Sequence, residues 1–316
     1  MTDVDKSWHS CPTSDSCATC LQTDKTKWTW DKFNRISCIC LKERPDRLLR
    51  ATEECHRLGL CDALEFYRPT KPNKDDVNRL GFDRIAAFGS WESHRLLAIQ
   101  ALKQNAFTKE GGKLGCILIF EDDFEFVKSF DAEKLKEIQA QIGRLPADWD
   151  LFNLGYFALP IPGTNRPLSM LNDWSVWRTN ATMIHAYVLS EHGARRMAYT
   201  PYHAYLSPFL GISDEIEEHF LDDWIRHHLK SYATVPMVAV QADSPSDQPI
   251  FGKEWGIALH NRIVQHVPYF MEIITMIIPF VTLILLLLAS TYFVFKRLLV
   301  QNNPMIVQQL SCQINS

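Results

Sequence analysis

The chain has 316 residues, 46% of them hydrophobic and 22% charged, with a formal net charge of −4. That is enough apolar material to bury a core of one large α/β domain or two smaller ones. A slightly acidic chain offers no general attraction to a polyanion, so nucleic acid is not expected as a partner.

Residues 1–32 are polar and irregular, and are expected as a flexible extension. They carry His9, Cys11, Cys17 and Cys20. The Cys17-x2-Cys20 pair has zinc-like spacing and would need His9 or Cys38/Cys40 to complete a site. The competing reading is incidental thiols. An apolar segment, Arg35 to Leu41, predicts a first strand. It runs into Lys-Glu-Arg-Pro-Asp-Arg47, where Pro45 and Asp46 suit the first turn of a helix. That helix is expected over Leu48 to Leu58 with Gly59 as its C-cap. Residues 62–68 predict a second strand, and the charged, proline-broken stretch Lys71 to Asp76 a loop.

Ser90 to Asn105 has helical periodicity, with Leu96, Leu97, Ile99 and Leu102 on one side. Cys116-Ile-Leu-Ile-Phe120 is a continuous apolar run, as expected for a central buried strand. An amphipathic helix is expected over Asp131 to Ile142 and a strand over Trp149 to Leu154. Trp174 and Trp177 fall in an expected loop, where they either stack on an acceptor sugar or join the core. Asn180-Ala-Thr182 is a formal glycosylation sequon just before the apolar strand Ala181 to Leu189. Helices at Glu191 to Tyr199 and Leu221 to Leu229 and a last strand at Thr234 to Gln241 complete the series. Strands alternating with helices predict an α/β layer fold, mostly parallel at its centre.

From Ile273 to Phe295 no charged residue occurs for 23 positions. A helix of that length spans roughly 34 Å, which predicts a single transmembrane anchor, since the hydrocarbon core is about 30 Å thick. Two signals oppose each other on its orientation. A C-terminal anchor without an earlier targeting signal leaves the large domain in the cytosol, whereas Lys296 and Arg297 favour a cytosolic tail. The expected organisation is an extension over 1–32, a catalytic domain over 33–255, a juxtamembrane linker over 256–271, a membrane helix over 272–296 and a tail over 297–316. Membrane localisation follows from this division.

The chemistry-bearing feature is the buried strand that ends in Glu121-Asp122-Asp123. Three adjacent carboxylates repel one another and are costly to desolvate unless a cation joins them. The C-terminal ends of strands in open α/β sheets are where ligands bind. A hard cation such as Mg²⁺ or Mn²⁺, keeping part of its shell for a diphosphate, suits such acids. The alternative is a solvated acidic turn.

Five stretches in order resemble glycosyltransferase family 25, the lipopolysaccharide and collagen-type sugar transferases. Ile39-Cys-Leu-Lys-Glu-Arg-Pro-Asp-Arg47 is similar to the family's "INLDRRPDR", and Gly89-Ser-Trp-Glu-Ser-His94 to its "GCxxSH". Ile119-Phe-Glu-Asp-Asp123 is similar to "xLEDD". Asp148-Trp-Asp-Leu-Phe-Asn-Leu-Gly155 with Ala186-Tyr-Val-Leu-Ser-Glu-His-Gly-Ala194 is similar to "WDxxxLG … AYxxSxxGA". Leu221-Asp222-Asp223, Pro236 and Gln241 to Asp247 resemble its closing pattern. Cys40 and Ser90 stand where the family has Asn and Cys.

The resemblance implies a GT-A-like, Rossmann-type sheet with helices on both faces, here with one C-terminal transmembrane helix. It implies a metal-dependent inverting transfer of a hexose from a nucleotide sugar, expected to be UDP-linked, to a hydroxyl of a glycan, lipid-linked saccharide or protein. Mn²⁺ or Mg²⁺ would be held by Asp123 directly, with Asp122 supporting it. Glu121 and Asp122 would contact the nucleotide ribose. Arg44 and Arg47 are placed to pair with phosphate oxygens, or are surface charge on a first helical turn. Ser93 and His94 would shape the donor pocket. One-step inversion needs a base for the acceptor hydroxyl. Asp222 is the first candidate and Asp223 the second, although acids also suit a helix start on dipole grounds alone. The competing function is a membrane-tethered, non-catalytic binding protein with a glycosyltransferase fold.

Overall fold

The computed structural model describes residues 8–10, 28–60, 62–75, 85–157, 166–169, 173–179, 182–199, 221–242, 262–264 and 270–302. In chain order the elements are β1 (Trp8–Ser10), a 3-10 turn (Trp30–Lys32), β2 (Arg35–Ile39), α1 (Pro45–Arg57), β3 (Leu64–Tyr67), α2 (Ile85–Lys103), β4 (Cys116–Glu121) and β5 (Phe124–Phe126). There follow α3 (Ala132–Gly143), β6 (Leu151–Phe157), β7 (Arg166–Ser169), β8 (Asp173–Arg178), β9 (Thr182–Ser190), α4 (Glu191–Tyr199), α5 (Leu221–His228), β10 (Ser231–Thr234), β11 (Ala239–Gln241) and α6 (Phe270–Asn302). Nine strands form one mixed sheet in the order β1-β3-β2-β4-β9-β6-β10-β8-β7, and β5 pairs with β11 in a second, two-stranded sheet.

The pleat of β4 shows how the apolar run builds the molecule. Alternate side chains of a strand point to opposite faces. Cys116, Leu118 and Phe120 join the core beneath α1 and α3, with Ala51, Cys55, Leu58, Leu135 and Ile138. Ile117 and Ile119 join the opposite core beneath α2, α4 and α5, with Leu97, Ala101, Met197 and Trp224. Helices therefore cover both faces, which is why β4 carries no polar side chain before Glu121.

Local signals set the helix ends. Pro45 opens α1, and Gly59 follows its end at φ 64°, with the Leu60 amide reaching back to the Cys55 carbonyl. The Asp131 side chain caps α3 by accepting from the Lys134 amide at 2.9 Å.

Several expectations are corrected. The centre is mixed: β3, β2 and β4 are parallel, but β9 runs antiparallel to both β4 and β6. An uninterrupted apolar run specifies burial on both faces and carries no strand direction. The expected last strand, 234–241, is two strands in different sheets, β10 and β11, with Pro236 between them. Proline cannot donate to a ladder, so pairing lapses there. Trp174 and Trp177 lie on β8 and not in a loop. Trp177 is buried and its indole donates to the Trp174 carbonyl, while Trp174 is exposed. Within the expected flexible extension, β1 pairs with β3, and Trp30 is buried and donates to the Leu58 carbonyl. Cys11, Cys17, Cys20 and Asn180 lie outside the described residues, while Cys38 and Cys40 are buried free thiols.

The expected transmembrane helix, and with it the membrane localisation, is also corrected. Among the described residues no helix is long and apolar enough to cross a membrane. α6 forms over Phe270–Asn302.

Candidate functional site at the carboxyl end of β4

β2 and β4 are parallel, with Ile39 beside Glu121. The turn that leaves β2 must therefore deliver the start of α1 to the same sheet edge where β4 ends. Arg68 holds that turn in shape, donating to the carbonyls of Cys40, Leu41 and Lys42. The result is that the first turn of α1 stands over the acidic triplet.

The pleat then divides the triplet. Glu121 continues the face of Ile117 and Ile119 and meets α2, where His94 Nε2 lies 3.1 Å from Glu121 Oε1. Asp122 turns to the other face and accepts from Arg47 Nη1 at 2.6 Å. The same guanidinium nitrogen is 3.5 Å from Asp123 Oδ2. Asp123 Oδ2 also accepts from the Gln241 side-chain amide at 2.8 Å. Gln241 arrives through β11, whose pairing with β5 sets it opposite Phe124. The second oxygen of Asp123, Oδ1, is buried and has no hydrogen-bond partner among the described residues.

Burial dominates the electrostatics. It pushes the Asp122 carboxyl up to about 6, against the opposing charge of Arg47 and with a further upward push from Asp123. The Cys40 thiol, beside Asp122, is driven up to about 12 by burial and then by that carboxylate, so it stays protonated. On the other face burial pushes the His94 imidazole down to about 4, only partly opposed by Asp222. His94 is thus neutral at pH 7. Its Nδ1 is 2.5 Å from the hydroxyl of Tyr187, a fully buried residue of β9.

Of the residues expected at the site, Arg47, Glu121, Asp122, Asp123 and His94 are brought together. Asp222, the first candidate base, begins α5 on the His94 side of the sheet. Its Oδ1 is 3.5 Å from the Ile184 amide, the long limit of a hydrogen bond. The side chain of Asp223 lies outside the described residues. Two expected residues are turned elsewhere. Arg44 pairs with its neighbour Asp46 at 2.8 Å, and the Ser93 hydroxyl donates to the Gly89 carbonyl within its own helix at 2.6 Å. Tyr187 and Gln241 were not expected as site residues. Both sit in ordered apolar strands, and only the cross-strand register brings them to the acids.

No group of three or more His, Cys, Asp or Glu side chains converges on a metal position among the described residues. The donor set is therefore too small for an all-protein cage. It does fit a hard cation that takes one or two carboxylate oxygens and fills its shell with diphosphate oxygens and water. The buried, unpartnered Asp123 Oδ1 is the atom that fits this requirement. No protein-family model matches the chain, and no curated protein matches it either.

Proposed function

We infer that the chain is a metal-dependent glycosyltransferase that moves a hexose from a nucleotide sugar, UDP-linked in the first instance, to a hydroxyl of a glycan, lipid-linked saccharide or protein. The observation that carries this reading is the acidic triplet at the end of β4, held under the first turn of α1 with one buried carboxylate oxygen that has no hydrogen-bond partner among the described residues. The ordered motif resemblance supplies the reaction class.

Each residue then has a task. Asp123, supported by Asp122, would hold Mn²⁺ or Mg²⁺. When bound, that ion offsets the negative charge of the diphosphate leaving group. Arg47 lies beside both acids and at a helix start, where a diphosphate is electrostatically welcome. Glu121, partly exposed, would face the ribose hydroxyls. Asp222 would take the proton of the acceptor hydroxyl as the new bond to the anomeric carbon forms and the bond to phosphate breaks on the opposite face.

The test uses the full chain with a panel of UDP-sugars, in Mn²⁺ or in EDTA. Donor hydrolysis or transfer that EDTA abolishes is expected, and the near-isosteric Asp123→Asn should lower it by at least about a hundredfold. The reading fails if the wild-type protein shows neither metal-dependent nucleotide binding nor turnover.

A further inference from the structure

His94 is buried between two partners, Tyr187 Oη at 2.5 Å and Glu121 Oε1 at 3.1 Å. A neutral imidazole carries a single N–H, so only one of its nitrogens can donate. The carboxylate offers acceptors only. Were the proton on Nδ1, the Nε2 lone pair would face the Glu121 oxygen with no hydrogen between them. The proton therefore belongs on Nε2, and Nδ1 is left as an acceptor for the Tyr187 hydroxyl. Burial raises Tyr187 well above its ordinary range, so its hydroxyl keeps the proton it donates. The two rings lie 5.6 Å apart and 24° from parallel. The Tyr187 side chain is fixed in turn by β9, which sets it opposite Ile119, two positions before Glu121 on the same face of β4.

We propose that Tyr187 is a positioning residue for nucleoside recognition: it holds His94 as an Nε2–H donor, and His94 holds Glu121 in the orientation that receives the ribose diol of a nucleoside diphosphate. This rests on the nucleotide-sugar reading above and extends it. The relay runs in one direction, Tyr187 to His94 to Glu121, and ends on the one member that reaches solvent: the Glu121 side chain is 30% exposed, against 1% for His94. A carboxylate held by a buried donor meets a ribose hydroxyl without the entropy loss of ordering a mobile side chain.

The proposal predicts a change in discrimination and not simply in affinity. Binding of uridine, guanosine and adenosine diphosphate to the full chain would be measured with Mn²⁺, and the tightest of them compared with its 2′-deoxy counterpart. The wild type should prefer the ribonucleotide by about tenfold, as expected for a hydrogen bond to a charged group. Tyr187→Phe should reduce that preference to about twofold or less while the deoxynucleotide binds as before. Glu121→Gln should do the same, and the double variant should lose no more. In the unmodified protein, two-bond proton–nitrogen correlations of histidine should show a pyridine-type Nδ1 and a pyrrole-type Nε2 at His94, which decides the matter if Tyr187→Phe does not fold. An unchanged preference in Tyr187→Phe, equal binding of both nucleotides by the wild type, or an Nδ1–H tautomer overturns the relay and leaves the nucleotide reading standing. Failure of the wild type to bind any nucleoside diphosphate removes both.

Discussion

Asp122 and His94 sit on opposite faces of the same strand end, and burial moves them in opposite directions. Asp122 rises from an ordinary 3.8 to about 6, so between those values the folded state binds more protons than the unfolded state. Stability from this group is therefore full below about pH 4 and is lost as the pH rises through 6. His94 falls from an ordinary 6.5 to about 4, so in its window the unfolded state binds more protons. Its contribution is present above pH 6.5 and is lost as the pH falls through 4. Over the shared window the two slopes offset each other, and the wild type should be nearly flat in urea melts from pH 4 to 6. Asp122→Asn should unmask a stability that rises with pH, by up to about 1.4 kcal/mol per unit, and His94→Gln one that falls. Slopes of the same sign in the two variants would contradict the assignment. The acids were legible at this scale, because a buried strand ending in three carboxylates needs counter-charge; Arg47 was expected to meet phosphate oxygens, and its pairing with Asp122 emerged only in the structure. Tyr187 and Gln241 were not, because nothing local marks a strand residue whose partner is 93 or 118 positions away.

Helices and strands followed their local signals closely where those signals were complete. Glu191–Tyr199 has the expected bounds, and α3 begins one residue after Asp131, its cap. Asp131→Ala should cost about 1 kcal/mol in chemical melts, since it strips an acceptor from the first turn. Close approach between elements is decided by two glycines. A Cβ on Gly155 would collide with the His185 ring and the Ala239 carbonyl, and one on Gly193 with the Asp150 backbone. Gly155→Ala and Gly193→Ala should each lose at least about 2 kcal/mol, because backbone cannot step aside as a flexible side chain can. Gly143, at the end of α3, has nothing within 4 Å of a built Cβ, so Gly143→Ala should gain about 0.5–1 kcal/mol. Equal losses at all three would mean that backbone context, and not contact, governs these sites.

For the whole molecule, ligand linkage is the relevant measurement. A nucleoside diphosphate with Mn²⁺ at about 100 times its Kd should raise the unfolding free energy by about 2.7 kcal/mol, read as an upward shift in Tm. Asp123→Asn should abolish most of that shift, measured against the Tm of the unliganded variant, because the charge beside Arg47 is lost with the carboxylate. A ligand-induced shift that survives this substitution would place the nucleotide elsewhere.

By itself the sequence determined an α/β chain, the positions of most helices, the buried strand β4 and the acids at its end, because periodicity, caps and turn residues act over a few positions. It misjudged the membrane span: the uncharged run Ile273 to Phe295 predicted one, and among the described residues no helix is long and apolar enough to cross a membrane. Only the tertiary structure decided the direction of β9, the division of Glu121 and Asp122 between two faces, and the arrival of Tyr187 and Gln241 beside them. These depend on register between strands distant in the chain, and an apolar run buried on both faces reads the same in either direction.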